Sequence, residues 1–545
     1  MRITENYTGF FHMVESRSMK RFAENLIPTL FFIALIIIGI LIYKDYGIPW
    51  DEAAQIQIGV QNYRFIFKGD PALLSFPDRY YGPIFEIPLL WLSARSLIPR
   101  HLAIFLLFVG GLIMFYLLAR RLFHNPWWGL LASGVLTASP RIFGDAFYNS
   151  KDIPFLVTAI AAILTLVLLS DSLNKKLSWR VVCVLLFLHA GASAVLISTR
   201  VAGIVIIPLT LFLVLIEVVK TPSFWKLQLI IFFGYLVLSA GLTILFWPIL
   251  WHNPWGEFVN AFIKMSKYPF GRMVLYLGKY FSADKLPWHY LPVWIGITTP
   301  LIVLAGILPG IWEWIGSMLN AMGWAKKGKD KIPALKSLDS EIFVWTVIIG
   351  WLVFPIAAIY IFNSVLYDGW RQMFFVYPAI VLISLRGLKA LYKWLLHFNL
   401  KSNGIRIAAG LFLLVGLAEP IWFMVRYHPH ENVYFNAFAG NPLTLRQRFE
   451  LDYWGLSYKQ AIDFILTNDP SQNIKIFVAN PPGQDYINGG LTGAQKSRLI
   501  IADDPGNADY FVSEFRWHPE DYPYMDEFYS INIRGTKIMV VYRLR

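Results

Sequence analysis

The chain has 545 residues, 56% hydrophobic and only 15% charged, with a mean hydropathy of +0.51, against roughly 45–50% apolar and 25% charged residues in a soluble globular chain. That composition excludes a soluble globular protein and places the chain in lipid. The formal charge of +13 does not point to nucleic acid, because Lys and Arg gather in short clusters between apolar runs (Lys20-Arg21, Arg120-Arg121, Lys175-Lys176, Lys326-Lys327-Gly328-Lys329, Arg386 to Lys393), as cytoplasmic loop charge does in membrane proteins.

The first apolar run, 26–43, follows a basic stretch and carries no small-residue cleavage site. It reads as a retained first helix, with residues 1–25 in the cytoplasm. Further runs of spanning length are 101–118, 127–137, 153–169, 181–197, 201–219, 227–247, 290–308, 342–361, 373–385 and 405–425, giving about eleven spans. Segment 83–97 carries Glu86, Pro88 and Arg95 and reads as an interfacial helix, since a span there would move Arg120-Arg121 to the outer face. This topology sends Trp50-Asp51-Glu52, 148–154, Arg200, 251–287 and 363–371 outside, and the tail with them. Gly110-Gly111 is expected to be a helix packing contact. The single cysteine, Cys183, excludes an intramolecular disulfide and CxxC metal sites, and is expected to be a buried small apolar side chain.

The tail is the one stretch of ordinary soluble composition. It shows a helical pattern at 458–466, strand-like runs at 474–478, 497–501, 510–512, 528–533 and 537–542, and turn signals at Asn480-Pro481-Pro482-Gly483 and Asp503-Asp504-Pro505-Gly506. The fold class expected is therefore an all-α polytopic membrane domain over 26–425 with a small extracytoplasmic α/β domain over 426–545. The basic stretch 326–336 reads as a solvated cytoplasmic linker.

Charge that could do chemistry lies where the apolar runs end on the outer side. Asp51-Glu52 follows Ile48-Pro49-Trp50, and a carboxylate there can serve as general base or hold a divalent cation before a phosphate. Neighbours on a helix point about 100° apart, so one of the two is expected to face the site. A solvated helix N-terminus is the plainer reading. Lys151-Asp152, in Asn149-Ser150-Lys151-Asp152-Ile153-Pro154, stands at the start of an apolar run and is suited either to an anionic phosphate or to a helix cap. Lys68, Arg79, Arg200 and Arg371 are the other outer basic residues; Arg200 and Arg371 adjoin long apolar runs, where arginine is costly and tends to be functional, although snorkelling competes as an explanation. His428-Pro429-His430-Glu431 fits no zinc spacing, and the chain has no Walker A loop, GxGxxG or GxSxG.

In order along the chain, the Asp51-Glu52 opening, Ser139-Pro140 with Asn149 to Pro154, Arg200-Val201-Ala202-Gly203, and Tyr367-Asp368-Gly369-Trp370-Arg371 followed by Pro378 resemble bacterial protein O-mannosyltransferase-like glycosyltransferases (glycosyltransferase family 39-like). These share the GT-C fold with the bacterial aminoarabinose transferases that modify lipid A. His428-Pro429, Tyr434-Phe435-Asn436, Phe449-Glu450 and Asp452-Tyr453-Trp454-Gly455 resemble the passage of such proteins into their C-terminal domain. The resemblance implies a multi-pass protein of the inner (plasma) membrane that transfers a sugar, with inversion, from a polyprenyl-phosphate-sugar donor to an extracytoplasmic lipid, glycan or protein acceptor. Protein glycosylation and lipopolysaccharide modification are the cell-envelope roles it points to. It maps the catalytic carboxylate onto Asp51, with Glu52 in support. Lys151, Arg200 and Arg371 are proposed for the donor phosphate, with Asp152, Asp368 and Arg79 supporting. The partners implied are the donor, the acceptor and membrane lipid, with no nucleic acid. A divalent cation is compatible with the family, though the sequence supplies no ligand set. The rival is a transporter or flippase of a lipid-linked or small polar substrate; such proteins place ionisable groups at the bilayer midplane, whereas here these groups gather in outer loops.

Overall fold

The computed structural model describes residues 24–93, 98–175, 177–321, 340–397 and 402–545. Lys20-Arg21 and the stretch 326–336 lie outside the described residues. In chain order the membrane part is built from α1 (Glu24–Ile42), α2 (Glu52–Lys68), α3 (Glu86–Ser93), α4 (Ile98–Phe123), α5 (Pro126–Thr137), α6 (Pro140–Tyr148), α7 (Asp152–Asn174), α8 (Trp179–Thr199), α9 (Ile206–Lys220), α10 (Trp225–Phe246), α11 (Pro254–Ser266), α12 (Tyr290–Thr298), α13 (Leu301–Ala321), α14 (Ser340–Phe362), α15 (Tyr377–Leu396) and α16 (Ser402–Tyr427). Among the described residues, ten of these helices are long and apolar enough to cross a membrane: α1, α4, α7 to α10 and α13 to α16. The chain is thus a multi-pass membrane protein.

Two of the eleven expected runs do not each make one spanning helix, and proline bears on both. In 127–137 the 12-residue α5 is too short to span. Ser139, extended at φ −94° and ψ 100°, and Pro140 then break the chain before α6 begins. The two pieces together run back along α4, from the Phe123–Trp128 stack at one end to the Phe105–Phe147 stack, centroids 4.2 Å apart, at the other. In 290–308, Thr299 is extended before Pro300 and separates α12 from α13. The described part of 83–97 holds only the eight-residue α3.

Small residues let the helices behind the site approach closely. A Cβ on Gly387 of α15 would lie 2.1 Å from the Gly306 carbonyl oxygen and 2.4 Å from the Gly310 amide nitrogen of α13, the close backbone contact that a small-xxx-small pair permits in lipid. Of Gly110-Gly111, only Gly111 packs tightly, against Val157 of α7; Gly110 has open space. Cys183 is exposed on the outer face of α8, not buried as expected, because the buried side of this helix is carried by Val182, His189, Ala190 and Ser193.

The tail forms a five-stranded sheet in the order β4-β3-β5-β7-β6 from β3 (Ile474–Val478), β4 (Leu499–Ile501), β5 (Tyr510–Ser513), β6 (Asp526–Ile533) and β7 (Thr536–Arg543), the numbering following the hairpin β1–β2 (Met273–Tyr276 and Lys279–Ser282). β4, β3 and β5 are parallel, and β7 and β6 join antiparallel. Buried Ile462, Ile465, Ile476 and Val541 belong to the core against which helix Tyr458–Asn468 packs. Asn480-Pro481-Pro482-Gly483 does not turn the chain: it opens helix Pro481–Gly489, with Pro at the first position where its missing N–H costs nothing. An antiparallel bridge between Tyr276 and Phe449 ties the hairpin to the tail.

Candidate active site

Asp51 stands at the N-cap of α2, yet its side chain accepts no capping hydrogen bond. The carboxylate instead accepts from Lys151 Nζ at 2.9 Å and lies 3.3 Å from Arg371 Nη2. It is not a solvated helix end. About a quarter of the side chain is exposed (26%), and it borders an opening lined also by Glu52, Gln55, Tyr148, Asn149, Ser150, Lys151 and Trp454. Burial opposes its ionisation, but Lys151 and Arg371 outweigh that cost and hold it well below the usual carboxylate range.

Lys151 and Asp152 begin α7, and the loop before them is shaped by Asn149, whose Oδ1 accepts from the backbone N–H of Asp152 at 2.8 Å. Asp152 is 1% exposed; it pairs with Arg200 and accepts from Arg371 Nη1 at 3.0 Å and from Asn149 Nδ2 at 2.9 Å. Arg371, also 1% exposed, reaches Asp368 at 3.1 Å as well. The positive φ of Asp368 (53°) and Gly369 (71°) makes the tight turn that brings Asp368 back toward it. Aromatic faces flank the cations: Lys151 lies 5.0 Å over Tyr81, and Arg371 lies 4.7 Å over Trp454 and 5.2 Å over Tyr367.

Residues from four distant stretches thus form one cluster. Of the expected site residues, Asp51, Lys151, Asp152, Arg200, Asp368 and Arg371 meet here. Glu52 and Arg79 do not. Glu52 turns to the other side of α2, 3.3 Å from Arg100 Nε and 3.3 Å from His101 Nε2, in a buried group that includes Glu86, 2.8 Å from Arg100 Nη2, and Ser150, which donates to Glu86 at 2.5 Å. Arg79 donates to the Phe76 carbonyl and covers the Tyr80 ring. Lys68 is exposed.

One member came from the tail and had no sequence signal beyond a charge between aromatics, Phe515-Arg516-Trp517. Arg516 donates to Asp368 Oδ1 at 2.6 Å and to the Tyr453 carbonyl, and its guanidinium lies 4.6 Å over Trp50 and 4.7 Å over Trp517. Four cations (Lys151, Arg200, Arg371, Arg516) therefore face three carboxylates (Asp51, Asp152, Asp368). The buried Nε–H groups of Arg200, Arg371 and Arg516 find no hydrogen-bond acceptor among the described residues.

A divalent cation fits this arrangement poorly. The carboxylates that would ligate it already hold Lys and Arg, and among the described residues no group of three His, Cys, Asp or Glu side chains has metal-binding geometry. His428 is engaged by Glu431 at 2.7 Å and Asp45 at 3.0 Å, and His430 by Gln460 at 2.7 Å.

No protein-family model matches the sequence, nor does any curated protein. Among solved structures the chain is similar to ArnT from Cupriavidus metallidurans bound to undecaprenyl phosphate, at 15% identity and a TM-score of 0.49, with 95% of this chain and 97% of that one covered. It is likewise similar to ArnT in the apo state (14%, TM-score 0.47, 94% and 98% covered). The archaeal oligosaccharyltransferase AglB from Archaeoglobus fulgidus, in complex with an inhibitory peptide and a dolichol-phosphate, is 12% identical at a TM-score of 0.45, with 89% and 69% covered.

Proposed function

We propose that this protein is a membrane glycosyltransferase that moves a sugar, with inversion, from a polyprenyl-phosphate carrier to an acceptor on the extracytoplasmic face of the inner membrane. The observation that carries the reading is the excess of buried cations around a partly exposed Asp51, with guanidinium N–H groups still lacking acceptors. A phosphate supplies that missing charge and those missing acceptors. The ordered motifs that resemble protein O-mannosyltransferase-like enzymes converge on the same residues, and a carrier whose prenyl chain stays in the hydrocarbon accounts for a site embedded among spans.

In the reaction, an acceptor hydroxyl or amine attacks the anomeric carbon and gives its proton to Asp51, while the bond from that carbon to the phosphate oxygen breaks. The leaving phosphate keeps the electron pair and is met by Lys151, Arg200 and Arg371. Asp51 is a weak base while Lys151 and Arg371 hold it. When the donor phosphate draws those cations, the carboxylate regains basicity at the moment it is needed. Asp152 and Asp368 hold Arg200 and Arg371 in place, and Glu52 fixes the start of α2 from behind. We assign the membrane domain to 26–425 and the extracytoplasmic domain to 426–545.

The test is transfer of label from a radiolabelled polyprenyl-phosphate sugar in membranes carrying wild type or Asp51→Asn at equal protein level. The expected loss is about 10²–10⁴-fold, the worth of a positioned base. Equal turnover in both would remove Asp51 as the base, and no turnover by wild type with any donor would favour a transporter.

A further inference from the structure

We propose that Arg516 is a positioning residue through which the C-terminal domain readies Arg371 for the donor phosphate, an inference that rests on the phosphate reading above. Three observations meet at this side chain. Asp368 is shared: its Oδ1 accepts from Arg516 at 2.6 Å and its Oδ2 from Arg371 at 3.1 Å. Arg516 is held by the Tyr453 carbonyl and the ring of Trp517 from the tail, and by the ring of Trp50 from the loop before Asp51. Trp517 in turn meets Trp50 edge-on at 5.5 Å, directly before Asp51 in sequence, and donates from its indole to the Met273 carbonyl at 3.2 Å.

The electrostatic consequence is specific. With Arg516 in place, Asp368 divides its charge between two guanidinium groups, and Arg371 also serves Asp51 and Asp152. Remove Arg516 and the whole of Asp368 falls on Arg371, deepening that pair at the expense of a new anion. A carboxylate within hydrogen-bond reach of a cation competes directly with a phosphate for it. Arg516 comes from the segment between β5 and β6, so a correctly seated C-terminal domain becomes a condition for tight donor binding.

The experiment uses the full-length protein in detergent, with two readouts: binding of undecaprenyl phosphate alone, and KM and kcat for a polyprenyl-phosphate sugar. Arg516→Gln is expected to weaken undecaprenyl phosphate binding and raise donor KM by about tenfold or more, the size of effect that one opposite charge within a few ångströms has on an ionised group, with a smaller change in kcat. Arg516→Gln combined with Asp368→Asn is expected to bind clearly better than Arg516→Gln alone, because a neutral amide oxygen still accepts from Arg371 and holds it in place but no longer competes with a phosphate as an anion. A merely structural role for Arg516 would instead make the double variant worse than either single one. Should Arg516→Gln fail to fold, Arg516→Lys keeps the charge but gives up the stacked fork; it is expected to lose less than about tenfold in undecaprenyl phosphate binding, and a roughly hundredfold loss would overturn the proposal. Unchanged binding in Arg516→Gln, or no recovery in the double variant, would overturn it too. If wild type does not bind undecaprenyl phosphate at all, the phosphate reading fails, and this inference with it.

Discussion

Asp51 and Glu52 are neighbours in sequence and face two different charged clusters. On the Asp51 side, four cations surround three carboxylates, and the central carboxylate borders an opening. On the Glu52 side, two carboxylates, Glu52 and Glu86, share Arg100, with His101 and Ser150 completing a buried group that meets the same opening only through Glu52 and Ser150. The first has charge left over for a ligand. The second spends its charge on joining α2, α3, α4 and the loop that carries Lys151. On the proposed reading, two clusters of similar composition divide into chemistry and scaffold by which sign is in excess.

The largest effects should fall on the Asp51 side, and substitution of both sides breaks or sharpens the contrast. Lys151→Ala and Arg371→Gln are each expected to lower kcat/KM by about 10²–10³-fold, or roughly 2.7–4 kcal/mol, as removal of one preorganised charge-stabilising group does. Glu86→Gln is expected to do the reverse. It breaks a buried ion pair, costs about 3–5 kcal/mol of stability, and leaves the kcat/KM of the folded fraction within about threefold. Thermal unfolding in detergent alongside the transfer assay separates the two. If Glu86→Gln destroyed turnover without loss of stability, the Glu52 cluster would belong to the chemistry.

A smaller effect concerns pH and the contact between tail and site. Burial pushes the Glu450 carboxyl up to about 8 from an ordinary 4.5, Arg516 opposing, and pushes Glu514 up to about 7, its hydroxyl partner Tyr458 2.5 Å away. A carboxyl that holds its proton in the folded state and has lost it in the unfolded state favours folding at low pH. That contribution is full below about 4.5 and is lost as pH rises through about 8. The protein is therefore expected to unfold at a lower temperature at pH 8.5 than at pH 6, and Glu450→Gln to narrow the difference. A wild type equally stable at both pH values would mean Glu450 is ionised where it lies.

The spans were legible because continuous apolar runs are their cause, and all five tail strands were legible from apolar residues bounded by turns. The break at Thr299-Pro300 was visible as a proline but not as a break, since a proline inside lipid is sometimes tolerated by its neighbours, whereas Ser139-Pro140 already lay beyond the expected run 127–137, which was too short to span alone. Gly306, Gly310 and Gly387 carry one helix crossing between them, yet sit on helices whose pairing no sequence pattern states. In the site, Asp51, Lys151, Arg200 and Arg371 stood out because charge at the edge of an apolar run is costly. Glu52 facing away follows from helix geometry alone. Arg516 was not legible: in a stretch of soluble composition a lone arginine looks like any surface charge until the fold buries it beside Asp368.

Arg79 sets the outer limit of the cluster and should give the smallest effect. Its guanidinium lies 4.7 Å over Tyr80 and donates to the Phe76 carbonyl at 3.1 Å, and Tyr80 donates to Glu257 at 2.8 Å. These contacts fasten the 71–81 loop to α11; they do not reach Asp51, Asp152 or Asp368. A half-exposed arginine over a ring is worth about 0.5–1 kcal/mol, so Arg79→Ala is expected to change donor KM by less than about threefold while lowering stability by that amount. Should donor KM rise tenfold instead, the loop must close over the donor during turnover, and the phosphate site would extend from the Asp51 cluster to the face of Tyr80.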